Sequence, residues 1–270
     1  EAGDVPGGPF RFVSGPPAAL NERMERGELD VSSASSVEYA TRPERYLLVP
    51  DLAIGSRGPV QSVLLLARRP VQDLDGREVL VSAQTHTSAA LLHVLFTRRY
   101  RIRTAYRTGD ATAELTAGQR PEAILCIGDE ALLLRRHPDY PVTLDLGEAW
   151  RQWTGLPFIF GVWIVRREAW ERQPERMAAA CRALLAGKAA GQASMAAICD
   201  LAAQQTGMGH EEVCSYFRGL AYDLGPEEQS GLRLFFRHLA AVGRIPAVPD
   251  LAFAPLEDVA APTVPTRRAG

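Results

Sequence analysis

Gly27-Glu-Leu-Asp-Val-Ser-Ser-Ala-Ser-Ser-Val-Glu-Tyr39 is the stretch whose reading decides the fold. Residues 29–31 form a short apolar strand that runs into four serines, Ser32, Ser33, Ser35 and Ser36, and then into a brief helix holding Val37 and Tyr39. A strand-to-helix turn of this kind aims backbone N–H groups and the positive end of a helix dipole at one spot, and small hydroxyls let an anion come close. The competing reading is a serine-rich connection whose hydroxyls only cap the helix.

Toward the N-terminus, residues 1–8 are rich in Gly and Pro, and Phe10-Arg-Phe-Val13 alternates like a half-buried strand. Pro16 and Pro17 open a helix that carries Leu20 and Met24 on one face and stops at Gly27, a C-terminal cap position. Toward the C-terminus, residues 46–54 and 60–67 are continuously apolar, the pattern of strands buried on both faces. Between them lies the tight turn Gly55-Ser-Arg-Gly-Pro-Val-Gln-Ser62.

A second unit then repeats the first: a strand at 78–81, the loop Ser82-Ala-Gln-Thr-His-Thr-Ser88, and a helix through Ala89, Leu92 and Phe96. Strands at 102–106 and 123–127, a polar connection at 108–119 and a helix at 129–136 continue the alternation. A short helix is expected in Asp145-Leu-Gly-Glu-Ala-Trp150, and residues 156–165 make a strand long enough to cross between two lobes. From Arg167 onward only helices are expected, near 174–189, 194–205, 211–222 and 226–242. In the last of these Leu232, Phe235, Phe236 and Leu239 share one face. The proline-rich remainder reads as an extended arm or a disordered tail.

That order predicts an α/β protein with a two-lobed, type II periplasmic-binding-protein-like fold, its C-terminal helices packed on the first lobe. Lobe 1 comprises residues 1–67 and 166–245, lobe 2 residues 68–165, and residues 246–270 form the arm. Ligands in such a fold sit between the lobes, where strand ends and helix N-termini converge.

Composition agrees with a globular chain. At 270 residues and 46% hydrophobic content a sizeable core can be buried, and a formal net charge of −2 gives no basic excess for nucleic acid or an anionic membrane. The longest apolar run is interrupted by Pro157 and Gly161, too short for a membrane span. No signal peptide is visible and a cytoplasmic location is expected, although a sequence starting at Glu1 leaves a removed or omitted leader open. Cys126, Cys181, Cys199 and Cys214 form no Cys-x-x-Cys pair and have no histidines at zinc-ligand spacing, so reduced core thiols and no metal are expected.

Each lobe offers one hydroxyl-rich strand-to-helix turn. Ser35 and Ser36 in the first, Thr85, Thr87 and Ser88 in the second, and Ser56 in the connecting turn are the substrate-binding candidates, suited to a small dicarboxylate. Gly128 joins them because it allows close approach to the backbone. Arg57 either adds positive charge or is solvated. His86 and Asp129 are the candidates for proton transfer, against the readings of an exposed histidine and a helix N-cap. The group Trp150, Trp153, Phe158, Phe160 and Trp163 reads as core or interlobe packing, with one ring available to wall a pocket. Walker, Gly-x-Gly-x-x-Gly, His-Glu-x-x-His and Gly-x-Ser-x-Gly motifs are absent from the sequence.

Several blocks in order resemble the menaquinone-biosynthesis chorismate dehydratases: Leu20-Asn-Glu-Arg-Met, Gly27-Glu-Leu-Asp-Val-Ser, Ser35-Ser-Val-Glu-Tyr-Ala, Leu47-Leu-Val-Pro-Asp-Leu and Ser56-Arg-Gly-Pro-Val-Gln-Ser-Val. Thr87-Ser-Ala-Ala-Leu-Leu, Ile127-Gly-Asp-Glu-Ala-Leu, Asp145-Leu-Gly-Glu-Ala-Trp, Trp153-Thr-Gly-Leu-Pro-Phe, Tyr222-Asp-Leu-Gly and Gly231-Leu-Arg-Leu-Phe-Phe extend the match to about His238. The resemblance implies a binding-protein fold turned enzyme, a lyase of the futalosine route that removes water from chorismate to give 3-[(1-carboxyvinyl)oxy]benzoate. It implies no cofactor, no nucleic-acid or membrane partner, and room for a homodimer.

A related dihydroxynaphthoate-forming enzyme of the same route and a non-catalytic binder of an aromatic or dicarboxylic acid are the alternatives. Family members carry a strand with Tyr/Phe-x-Asn-x-x-Pro ahead of the point where this sequence starts. Either that strand precedes Glu1 or the sheet is shorter here. Ser33 stands where the family commonly has proline, and Arg57 where it has an acidic or polar residue.

Overall fold

A computed structural model describes residues 10–15, 17–82 and 86–259. The strands divide into two sheets. One takes β1 (Val31–Ser35), β2 (Tyr46–Ser56), β8 (Phe158–Arg166) and β9 (Leu220–Ala221), antiparallel throughout and ordered β1-β8-β2-β9. The other takes β3 (Val63–Ala67), β4 (Glu78–Val81), β5 (Ala105–Thr108), β6 (Ala123–Ile127) and β7 (Val142–Asp145), ordered β5-β4-β6-β3-β7. Its β4 runs parallel to β5 and β6, and β3 runs antiparallel to β6 and β7.

The helices are α1 (Pro17–Glu25), α2 (Ser36–Thr41), α3 (His86–Val94, continuing as a π-helical turn Leu95–Tyr100), α4 (Ala111–Thr116), α5 (Gly128–Leu134) and α6 (Leu146–Thr154). The C-terminal set follows as α7 (Arg167–Arg172), α8 (Pro174–Ala193), α9 (Met195–Thr206), α10 (His210–Gly219) and α11 (Pro226–Ala241).

The chain passes between the sheets twice, outward from β2 to β3 and back from α6 to β8. The strand expected at 60–67 in the first lobe therefore pairs within the second sheet, and the crossing strand expected at the end of the second lobe pairs within the first. Periodicity marks both as buried strands but carries no information on which sheet receives them.

The first sheet is covered on both faces. Leu47, Val49 and Val165 pack against Trp170, Met177 and Cys181 of α7 and α8 on one side. Leu48 and Ile164 join Tyr39, Phe235, Phe236 and Leu239 in the core on the other. The C-terminal helices thus enclose the first sheet, as the sequence predicts. Phe158 meets the Phe235 ring edge-on at 4.8 Å, and fully buried Trp150 lies edge-on to both. Such aromatic contacts contribute on the order of 1 kcal/mol each beyond simple burial. Gly231 lets α11 approach this cluster: a Cβ there would stand 2.1 Å from the Pro157 carbonyl oxygen.

The last described segment is an arm. Leu48 N–H donates to Ala252 O (2.7 Å), Ala254 N–H donates to Leu48 O (2.8 Å), and the Tyr39 hydroxyl donates to Asp250 O (2.7 Å). The disordered-tail reading is thereby set aside for this segment, and residues 260–270 lie outside the described ones.

Other expectations shift. The serine stretch is mostly strand, because the β8 ladder draws Ser32 to Ser35 into pairing and the helix begins only at Ser36. Phe10 to Val13 lies in no described strand. The polar connection at 108–119 contains α4, capped by the Asp110 carboxylate accepting from Ala113 N–H, and β5 begins three residues later than predicted. Within the all-helical end, β9 adds a two-residue strand to β2. Cys199 and Cys214 are joined by a disulfide, against the expectation of four reduced thiols; Cys126 and Cys181 are free and buried. Two cysteines fifteen residues apart on consecutive helices carry no spacing motif, which is why sequence alone missed the bridge.

Candidate functional site

Two of the hydroxyl-bearing turns do meet. Ser36 opens α2 and is fully buried, and its Oγ lies 3.5 Å from Oγ1 of buried Thr87 in the first turn of α3. An O–H···O bond is typically about 2.7–2.8 Å, so this pair is held at the outer limit of bonding and neither hydroxyl is committed to the other. Ser88, also buried, follows Thr87 in the same turn. The α3 N-terminus adds a positive dipole end on that side.

Ser35 has another occupation. Its Oγ accepts from Glu38 N–H (3.1 Å), the capping role that competes with ligand binding. Ser32 donates to the Ser33 carbonyl, and neither Ser32 nor Ser33 lies at the Ser36–Thr87 contact. Thr85 lies outside the described residues.

Ser56 ends β2 where the chain leaves the first sheet. It is 1% exposed, and its Oγ has no hydrogen-bond partner among the described residues. A Cβ on Gly147, in the first turn of α6, would fall 2.5 Å from that Oγ and 2.7 Å from Gly58 O. The glycine lets a helix N-terminus sit directly against a buried, unpaired hydroxyl, and such groups are rare enough in native proteins to call for a reason.

Asp145 fixes this corner. Its carboxylate accepts from Val60 N–H (3.1 Å), Gln61 N–H (2.7 Å) and Glu148 N–H (3.1 Å), capping α6 and tying the crossing segment to it. Burial pushes the Asp145 carboxyl above the usual carboxylate range, while the backbone N–H groups of Glu148, Val60, Gln61 and Gly147 hold it down in part.

Further along the crossing, Ser62 Oγ lies 3.1 Å from the Tyr216 hydroxyl of α10, and Ser62 O accepts from Gly128 N–H (2.8 Å). Gly128 has φ +57°, a conformation that favours glycine, and its N–H is already engaged. Asp129 is exposed in the first turn of α5, whose N-cap position is Ile127 rather than Asp129. Glu130 turns away to the N-terminus of α4, accepting from Thr112 and Ala111, and burial raises its carboxyl. His86 is exposed at the start of α3.

Arg57 neither faces solvent unpaired nor stands free for a ligand. Its guanidinium donates to the Glu228 carboxylate (2.8–2.9 Å) and lies 3.6 Å from Asp223, tying β2 to α11. Trp150 is core, with its Nε1–H donating to Pro157 O. Sequence reading passed over Gly147 and Tyr216. The first lies inside the quoted Asp145-Leu-Gly-Glu-Ala block, whereas nothing in the sequence connects Tyr216 to Ser62.

A cavity of about 730 Å³ opens elsewhere, between edge strand β1, Phe10 to Val13, and helices α8 and α9. Phe12, Leu52, Ile54, Trp163 and Met195 give it apolar walls, and its Lys188 ammonium is bound to Asp51 and Asp223. The walls are mostly apolar, with Arg11 and Arg176 also lining the cavity, whereas the hydroxyls without a firm partner are Ser36 and Thr87 at one place and Ser56 beside the α6 N-terminus at another. Among the described residues no group of three His, Cys, Asp or Glu side chains could hold a metal, and no helix is long and apolar enough to cross a membrane.

Two mixed or antiparallel sheets, crossed twice by the chain and closed by C-terminal helices, define a periplasmic-binding-protein-fold molecule. A Candida albicans protein described as exhibiting the generic periplasmic-binding-protein fold superposes with a TM-score of 0.63 at 8% identity, over 89% of this chain and 82% of that one. The sequence profile for menaquinone biosynthesis matches residues 4–241, and the chain belongs to that family. It is 28% identical to the chorismate dehydratase of Thermus thermophilus over 241 residues, 84% of this chain and 85% of that protein. It is 29% identical to the 1,4-dihydroxy-6-naphtoate synthase of Streptomyces coelicolor over 270 residues, 93% and 91% of the two chains.

Proposed function

We propose that this protein is a chorismate dehydratase, a hydro-lyase of the futalosine route that removes water from chorismate to give 3-[(1-carboxyvinyl)oxy]benzoate. The observation that carries the reading is the buried set Ser36, Thr87 and Ser56, hydroxyls on both sides of the crossing that are unbonded or bonded only at 3.5 Å. Chorismate presents two carboxylates, and donors of this kind bind carboxylates without a metal. Loss of a ring hydrogen and a hydroxyl as water is redox-neutral and is driven by aromatisation, so the reaction itself requires no oxidant or reductant. Enclosure between the lobes would hold the departing groups in reactive geometry and exclude bulk water.

In this reading Ser36, Thr87, Ser88 and Ser56 bind and orient the substrate, while Ser35 caps α2. Proton acceptance falls to His86, to Asp129 or to a substrate carboxylate. The enzyme works in the cytoplasm and has the option of a homodimer. The similarity to the dihydroxynaphthoate synthase, extending over 93% of the chain, favours that activity as the second reading.

The test is to mix the full-length protein with chorismate and follow the ultraviolet spectrum and the product mass. Loss of one water in proportion to enzyme supports the dehydratase. Tight binding with chorismate unchanged would assign the chain to solute capture, and no binding together with dihydroxynaphthoate formation from the later intermediate would assign it to the sibling enzyme.

A further inference from the structure

The helical hairpin formed by α9 and α10 is attached differently from the rest of the molecule. None of its residues joins the three apolar cores, and Leu201 on its outer side is 56% exposed. Its internal tie is the Cys199–Cys214 disulfide. Cys214 does not stand alone. Its Sγ lies 3.5 Å from Nε2 of His210, one turn earlier on α10, and Nδ1 of His210 lies 2.9 Å from the Asp200 carboxylate on α9. A carboxylate on Nδ1 orients the ring and presents Nε2 to the sulfur. An imidazole so placed stabilises a neighbouring thiolate, which is the nucleophilic form of cysteine. Both cysteines are buried, Cys199 fully and Cys214 with 8% of its residue surface exposed.

We propose that Cys199 and Cys214, with His210 and Asp200, form a thiol–disulfide exchange site that reacts with a dithiol reductant. A thiolate of the dithiol attacks Cys214 Sγ, the intramolecular S–S bond breaks, and Cys199 leaves as a thiolate that takes up a proton. The second thiol of the reductant then attacks its own sulfur in the mixed disulfide, so that the reductant departs oxidised and Cys214 is released as a thiolate beside His210. The balance is one disulfide and one dithiol giving two cysteines and one oxidised dithiol. In reverse, Cys214 is the attacking group, His210 is its positioning and proton-holding partner, and Cys199 resolves. The other charged groups on the hairpin are compensated: Glu211 pairs with Arg218 on α10, and Glu212 with Arg135 of α5. His210, held by Asp200, is thus the ionisable side chain in contact with Cys214.

The test uses the full chain and dithiothreitol. Purified without reductant, it should yield a Cys199–Cys214 disulfide on peptide mass mapping, with Cys126 and Cys181 labelled only after unfolding. After reduction, iodoacetamide should label Cys214 ahead of Cys199. At pH 7 its rate should exceed that of an unperturbed thiol several-fold, on the order expected when a neighbouring imidazole favours the thiolate. His210→Gln, at a half-exposed position, should abolish the excess and move the pH midpoint up, with Asp200→Asn moving it part of the way. A chain whose four cysteines are all free when air-oxidised overturns the proposal, as does faster labelling of Cys199. An unchanged Cys214 pH profile in His210→Gln overturns it too, by reducing the bridge to a structural one.

Discussion

Ser36→Ala separates ligand binding from helix capping because the free protein gains so little from the hydroxyl. Its only described partner is Thr87 Oγ1 at 3.5 Å, well beyond the usual O–H···O length, so the bond contributes no more than about 0.5 kcal/mol to folding. The change removes one heavy atom from a fully buried site and leaves the α2 cap intact, since Ser35 performs it. A shift in melting temperature of only a degree or two should follow. If the hydroxyl donates to a substrate carboxylate, its loss costs roughly 1–3 kcal/mol in the bound state, about 5- to 150-fold in kcat/KM. Thr87→Ala should behave alike. The pair in combination should be nearly additive on stability, because little couples them before substrate arrives. Chorismate turnover followed by ultraviolet absorbance, beside thermal unfolding of each variant, supplies both numbers. Unchanged kcat and KM in both single variants would remove Ser36 and Thr87 from the site. A large loss of stability with proportionate loss of activity would show instead that their contact holds the lobes together.

Other outcomes follow from single contacts. Gly231→Ala puts a Cβ 2.1 Å from the Pro157 carbonyl oxygen, which also accepts from Trp150, so α11 must move and denaturant unfolding should show a loss of about 1–3 kcal/mol. Arg57→Ala strips the nearly buried Glu228 carboxylate of its cation; with the guanidinium itself half-exposed, a loss of about 1–2 kcal/mol is expected on unfolding. KM should stay unchanged, whereas a ligand role for Arg57 would raise KM without lowering stability. His93 and His238 both have pKa values pushed below the ordinary histidine range, by burial first and then by arginines: Arg244 near His93, Arg98 and Arg237 near His238. The unfolded chain therefore binds protons before the native one. Their contribution is present above the unfolded pKa, near 6.5, and is lost as pH falls through the lower folded value. Melting temperature should drop on acidification across that window, and His238→Gln should flatten the drop.

The fold was legible where local and global signals agree. Leu232, Phe235, Phe236 and Leu239 announced the face of α11 that covers the first sheet, and the doubled strand–loop–helix pattern announced two units. What stayed hidden were long-range facts. Nothing in residues 60–67 says that the chain changes sheets before rather than after them, and nothing local pairs Cys199 with Cys214. The serine stretch shows how tertiary pairing overrides a local reading, because β8 extends β1 through Ser35 and leaves a single hydroxyl, that of Ser36, at the start of α2 beside Thr87.

The division of the serines has a functional corollary. A turn of four hydroxyls would have suggested one anion cradle, but the ladder to β8 gives them separate roles. Ser32 and Ser33 line the apolar cavity, Ser35 caps, and Ser36 meets Thr87 of α3. The proposed site draws one hydroxyl here, one or two at the start of α3 and one at the end of β2, and so is distributed over three elements. Ser56 is the informative member, because its unpaired Oγ sits beside the α6 N-terminus, at a corner that Asp145 fixes through three backbone N–H groups. Ser36 and Thr87, by contrast, open helices that follow strands of different sheets, and at 3.5 Å they are only loosely tied to each other. A fixed corner and a loosely tied pair would suit the proposed dicarboxylate if one end is held at Ser56 while the Ser36 and Thr87 hydroxyls reorient toward the other.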